Sequence, residues 1–146
     1  ELPVLHYKPV KIKQFWATSE IEHALSDMRK HKCDGLVFHN PHGALNEAGT
    51  MYKWKPLGMH TVDLAITDKY ILRTRKTRIQ TLAPEFQDQI NPGEIWEFKF
   101  NAGSKVLTPI RQRTDKDFPN ADPTYRDVRK AFIDNITEEE LVDVLA

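Results

Sequence analysis

Lys53 and Lys55, on either side of Trp54 and ahead of Pro56, carry the clearest chemical signal in the sequence. Side chains alternate along a strand, so both ammonium groups would project from one face, about 7 Å apart. That spacing suits the oxygens of one phosphate or of two adjacent ones, with each lysine acting as a point-charge donor. Solvated lysines on an edge strand give the same pattern. Asp34-Gly35 precedes the apolar run Leu36-Val37-Phe38, which reads as a strand buried on both faces. The Asp34 carboxylate would then stand at the open end of a fixed strand, where metal and ligand contacts are common, although Asp-Gly is also an ordinary turn. A third cluster, Arg111-Gln112-Arg113-Thr114-Asp115-Lys116, mixes guanidinium, ammonium and carboxylate groups. If it stays extended, Arg111, Arg113 and Asp115 share a face that could hold a polyphosphate, or form a surface charge network.

Other reactive residue types are less telling. His6, His23, His31, His39, His42 and His60 show no metal-ligand spacing and read as surface or turn histidines. Cys33, beside the predicted strand, reads as a small packing residue. Trp96 and Phe98 share a strand face with Glu94, and the pattern favours core packing over a base-stacking platform.

The elements that must position these groups can be read from periodicity. Residues 1–17 read as extended, with Pro3 and Pro9 against helix. Ser19 and Glu22 have capping-box spacing, and Ile21, Ala24, Leu25 and Met28 follow at helical intervals, which predicts an amphipathic helix over about 20–31. Residues 40–50 are loop chemistry, and a strand resumes at Met51–Trp54. From Thr61 onward, strand-like runs at 61–67, 70–75, 78–82, 94–100 and 104–111 alternate with turns such as Asn91-Pro92-Gly93 and Asn101-Ala102-Gly103. Five short strands predict a small antiparallel barrel, for which an OB-type barrel is one solution. Asp122 as N-cap and Pro123 as first helical residue open a helix with Tyr125, Val128, Phe132 and Ile136 as its apolar stripe. Thr137 and Glu140 form a second capping box ahead of a last helix with Leu141, Val144 and Leu145 apolar. The expected fold class is α+β, mostly β, with a division near residue 60 into units of 1–60 and 61–146.

Bulk properties narrow the function classes. The 146 residues hold 21 Lys+Arg and 21 Asp+Glu, so a phosphate site must come from local clustering and not from a basic overall field. One cysteine excludes an intrachain disulfide and a multi-cysteine zinc site, and makes an intracellular location the expectation. No apolar run reaches the roughly 20 residues that span a bilayer. The chain begins at Glu1, which suggests a piece of a larger protein.

Taken in order, the clusters resemble the last three motifs of covalent nucleotidyltransferases, most closely those of mRNA capping enzymes (GTP:RNA guanylyltransferases). Asp34-Gly35-Leu36-Val37-Phe38 is similar to motif IV and Tyr52-Lys53-Trp54-Lys55-Pro56 to motif V. Arg111, Arg113, Asp115, Lys116, Pro119 and Asn120 match the R-x-R-x-D-K-x-x-P-N segment of motif VI. The resemblance spans roughly residues 10–135. It implies the end of a nucleotidyltransferase (ATP-grasp-like) domain over 1–60, then an OB-type lobe with closing helices over 61–146. It also implies transfer of GMP from GTP, through a lysyl-GMP intermediate, to the 5′-diphosphate end of RNA. Asp34 would help place Mg²⁺ or Mn²⁺, and Val37 would form a wall of the guanine pocket. Lys53 and Lys55 would contact the α-phosphate, while Arg113, Asp115 and Lys116 would engage the β- and γ-phosphates on lobe closure. Further implied partners are a cap methyltransferase or RNA polymerase, in the nucleus of a cell or in the cytoplasm or virion of a virus, with no membrane.

Lys32-Cys33-Asp34-Gly35 spells the K-x-D-G of the family's nucleophile motif. Val37 stands where that motif usually has arginine, and this reading would leave no residue for motif IV. The nucleophilic lysine is therefore expected on an N-terminal portion or a separate chain, and this chain alone is expected to be inactive. A fragment of an ATP-dependent RNA or DNA ligase and an OB-type nucleic-acid-binding module are the alternatives.

Overall fold

A computed structural model describes residues 12–44 and 47–146. Most of the segment expected to be extended, residues 1–11, lies outside the described residues, and 12–17 carry no regular structure. A short 3₁₀ turn, Thr18–Glu20, leads into helix α1, Ile21–Lys30. The expected Ser19–Glu22 capping box is replaced by Glu20, whose carboxylate accepts the Ala17 N–H at 3.1 Å. Ile21, Ala24, Leu25 and Met28 are buried, as their helical spacing requires.

Strand β1, Leu36–His39, pairs antiparallel with β2, Met51–Trp54, in the register Leu36↔Trp54, Val37↔Lys53, Phe38↔Tyr52. The expectation that β1 is buried on both faces fails. Leu36 and Phe38 pack toward α1 and Trp54, whereas Val37 on the other face is 54% exposed. An apolar run alone does not say how many layers cover it.

The second sheet contains β3 (Thr61–Ile66), β4 (Ile71–Arg73), β5 (Arg78–Thr81), β6 (Ile95–Lys99) and β7 (Thr108–Gln112). All pairs are antiparallel, in the order β5-β4-β3-β6-β7. Central β3 sends Val62, Leu64 and Ile66 into a core with Leu72, Leu82, Ile90 and Phe98. Each such buried side chain contributes about 1.5–3 kcal/mol relative to exposure. The barrel expected from five strands is not closed by a ladder, because β5 and β7 form the two edges among the described residues. Trp96 and Phe98 do serve the core, and the Trp96 Nε1–H donates to Glu94 at 2.8 Å.

Helix α2, Asp122–Asp134, starts one residue earlier than expected, with Ala121 at its cap. It lays Tyr125, Val128 and Phe132 on the sheet core, while Ile136 lies past its end. Helix α3, Glu138–Leu145, opens on the expected capping box: Glu140 N–H donates to Thr137 Oγ1 and Thr137 N–H to Glu140 Oε2. It packs on α1 and Trp54 through Leu141, Val142 and Leu145. Val144, expected in the apolar stripe, is exposed instead. None of the described helices is long and apolar enough to cross a membrane.

Candidate functional site: two charged clusters

The first cluster lies on the exposed face of the β1–β2 pair. Val37 and Lys53 are direct cross-strand partners, so their Cβ atoms stand about 5 Å apart on one face. Lys55, two residues beyond Lys53, meets the Asp34 carboxylate at 2.9 Å. That hydrogen bond and the Lys55 charge hold the Asp34 carboxyl below its ordinary range, so it is ionised at neutral pH. An exposed pair of this kind adds little stability. Its consequence is positional, since it fixes one of the two ammonium groups.

Gly35 makes this arrangement possible. A Cβ at Gly35 would stand 2.1 Å from the Trp54 carbonyl oxygen. The backbone of β1 can therefore approach the end of β2 only without a side chain there. Trp54 faces the other way, into the α1–α3 core, and its Nε1–H donates to the Ile136 carbonyl at 2.7 Å. The alternation Lys53-out, Trp54-in thus ties the exposed lysine face to the α2–α3 junction.

The second cluster differs from the extended shared face expected of it. The chain leaves β7 at Gln112 and turns, with Lys116 N–H donating to the Arg113 carbonyl. Arg111 separates from Arg113 and binds Glu97 at 2.7 Å. Burial alone would raise the Glu97 carboxyl, but hydrogen bonds from Arg111 and Thr61 hold it below its ordinary value. Arg113 takes both Asp63 oxygens with Nη1, at 3.1 and 2.9 Å, and both Asp115 oxygens with Nε and Nη2, at 3.0 and 2.9 Å. Lys116 Nζ also binds Asp63. The Arg113 hydrogen bonds pull the Asp115 carboxyl down to about 2.

Asp63 is the member of this cluster that the sequence motifs do not reveal. It sits mid-strand on β3, opposite Glu97, with its side chain only 8% exposed. Beside it β4 no longer pairs with β3, and Asn120 takes the vacated edge. The Asp63 N–H donates to Asn120 Oδ1 at 2.7 Å and the Asn120 N–H to the Asp63 carbonyl at 2.8 Å. A carboxylate in the run Thr61-Val62-Asp63-Leu64-Ala65-Ile66 is the available signal, because a buried charge requires a partner. Arg111, Arg113 and Lys116 thus face Asp63, Glu97 and Asp115, three cations against three carboxylates. Arg113 is largely committed to internal bonds. Lys116 makes one such bond, has two further N–H donors and is 32% exposed, so it is the better placed to meet an incoming phosphate.

No hydrogen bond or ion pair among the described residues joins the two clusters. Nor do three His, Cys, Asp or Glu side chains among them converge on a metal-sized site. Asp34 offers a single carboxylate, already engaged by Lys55. That is what a Mg²⁺ carried on a polyphosphate can take from a protein, and less than a resident metal centre needs. Lys32 lies exposed in the turn after α1, with φ of 53°. Cys33 is exposed, contrary to the packing role expected of it. His60 is buried rather than superficial, edge-on to Phe132, and burial followed by the Lys55 charge lowers its pKa. A scan against models of known protein families finds no match to this chain, and a search of curated proteins also finds none.

Proposed function

We propose that the chain is the C-terminal part of an mRNA guanylyltransferase that contributes phosphate-contacting residues to GMP transfer from GTP to 5′-diphosphate RNA. The observation that carries this reading is the pairing of Val37 with Lys53 on one exposed face, with Lys55 fixed beside it by Asp34. An apolar side chain for a base and two cations for its phosphate adjoin there. In the first step a lysine amine supplied by another segment attacks the α-phosphorus, the bond to the β-phosphate breaks, and pyrophosphate leaves. In the second, an oxygen of the RNA 5′-diphosphate attacks the same phosphorus and the P–N bond breaks. Lys53 and Lys55 stabilise the charge that develops on the α-phosphate in both steps. Lys116 meets the β- and γ-phosphates in the first step alone, and Arg113 with Asp63 holds its loop in place. For the second sheet we propose an OB-type lobe, which is a partly open five-stranded barrel. In support, the Gln80 amide, with its nitrogen turned toward Lys105, spans the open seam, donating to the Lys105 carbonyl at 2.9 Å and accepting from Leu107 N–H at 3.2 Å.

The test is covalent labelling with α-labelled GTP and Mg²⁺ or Mn²⁺, using the chain together with the segment that carries the nucleophile. Label is expected on a lysine of that segment, with loss of labelling in Lys53→Ala. Labelling from ATP in preference to GTP would move the assignment to a ligase. A phosphoramidate on Lys32 would show that this chain carries the nucleophile itself.

A further inference from the structure

A second cationic surface lies away from both clusters. The β4–β5 hairpin carries Arg73, Arg75, Lys76 and Arg78, and its register places Arg73 directly opposite Arg78. Like charges facing each other across a strand pair are destabilising. Among the described residues, none of these four forms an ion pair with a carboxylate. Leu72 and Thr74, on either side of Arg73, are buried. Arg73 is half-exposed and its Nη1 donates to the Thr74 and Arg75 carbonyls at 3.2 and 3.3 Å, while Arg75, Lys76 and Arg78 are exposed. Asp122, at the start of α2, is tied to the hairpin tip: it accepts from Thr74 Oγ1, from Thr77 Oγ1 at 2.5 Å and from the Lys76 N–H at 3.4 Å. That clamp fixes the hairpin tip against α2, where Arg126 follows one turn after Asp122. Arg126 also lines a shallow depression of about 390 Å³ with Tyr125, Arg129, Lys130 and Ile133.

The strip has an aromatic member. Phe118 is 67% exposed, and the Arg75 guanidinium lies over its ring at 5.7 Å. The Arg75 Nε–H donates to the Pro119 carbonyl, which holds guanidinium and ring in register. Cations spaced along a path, with an exposed ring among them, match a chain of phosphates whose bases can stack.

We propose that the outer face of the β4–β5 hairpin, with Phe118 and Arg126, binds single-stranded nucleic acid. Phosphates lie along the arginines and Lys76, and a base stacks on the free face of Phe118. The elongated, multiply cationic layout favours a repeating polyanion over a compact phosphopeptide. The surface is distinct from Lys53 and Lys55 and requires no nucleotide transfer, so it can fail or succeed independently of the guanylyltransferase reading.

Fluorescence anisotropy with a labelled single-stranded RNA, titrated at several salt concentrations, tests this directly on the chain. Affinity should fall linearly on a log–log scale with salt, with a slope of about −0.7 for each phosphate neutralised. Lys76→Glu with Arg78→Glu should weaken binding about tenfold or more at low salt and make that slope shallower by about 1.4. Phe118→Ala should weaken binding about fivefold or more with the slope unchanged, since stacking is uncharged. Lys30→Glu on α1 should bind as the unaltered chain does. Full RNA affinity in the Lys76, Arg78 variant, with an unaltered thermal melt, overturns the proposal. So does tighter binding of the unaltered chain to a phosphopeptide or to phosphatidylserine vesicles than to RNA.

Discussion

Arg113 and Asp63, separated by 50 positions in sequence, meet through two hydrogen bonds from a single guanidinium nitrogen. The same arginine holds Asp115 with its remaining edge, so the turn after β7 is fixed to the centre of the sheet. What looks in sequence like a free basic cluster is a neutralised one. Only the parts of it that retain spare donors can meet a ligand without first giving up an internal bond.

Asp63→Ala should therefore destabilise the fold, because it leaves Lys116 without its carboxylate and Arg113 with Asp115 alone in a partly buried space. The loss should be about 3 kcal/mol, the lower end for breaking a buried pair, since the loop stays partly open to solvent. Urea denaturation measures it. A loss under about 0.5 kcal/mol, typical of ordinary surface positions, would show that the pair does not organise the loop.

Acid sensitivity should localise to the same loop. The Asp115 carboxyl, ordinarily at 3.8, is held at about 2 in the folded chain by Arg113. A folded-state value below the unfolded one contributes stability that is fully present above about pH 4 and is lost as pH falls toward 2. Asp115→Asn should flatten the dependence of melting temperature on pH within that window and leave it unchanged above pH 5. An identical acid profile for the variant would refute the assignment.

Gly35→Ala should separate β1 from the end of β2, because the added Cβ would meet the Trp54 carbonyl at 2.1 Å, a backbone atom that cannot rotate away. Overpacking of this kind costs about 1–3 kcal/mol. Amide hydrogen exchange should rise across 36–39 and 51–54 and stay unchanged in β3 and β6. Protection equal to that of the unaltered chain would show that the two strands tolerate a wider approach.

Lys53→Ala and Lys55→Ala should separate function from stability. Lys53 has no ion-pair partner among the described residues and Lys55 makes only an exposed pair, so each melt should shift by less than about 1 kcal/mol equivalent. In the labelling reaction each should cost about 10²–10³ in rate, the scale of removing one preorganised donor. Normal labelling with a large loss of stability would make the pair structural.

Local pattern sufficed where the determinant is local. The spacing of Ile21, Ala24, Leu25 and Met28 marks α1, the Thr137–Glu140 box marks the start of α3, and the turn residues after Thr61 place five strands to within a few residues. The alternation that puts Lys53 outward and Trp54 inward is also a property of the strand itself. Tertiary structure decided the rest. Whether Val37 is covered depends on what packs over β1, and the same apolar run serves either case. Val142 rather than Val144 faces inward because α3 seats on α1 and Trp54, a surface remote in sequence. Asp63 carries no motif, and its meaning comes from the loop 113–120 folding back across β3. Sequence spacing reports which side chains share a face of their own element, whereas the partner of a buried charge is chosen by chain segments that only the folded topology brings together.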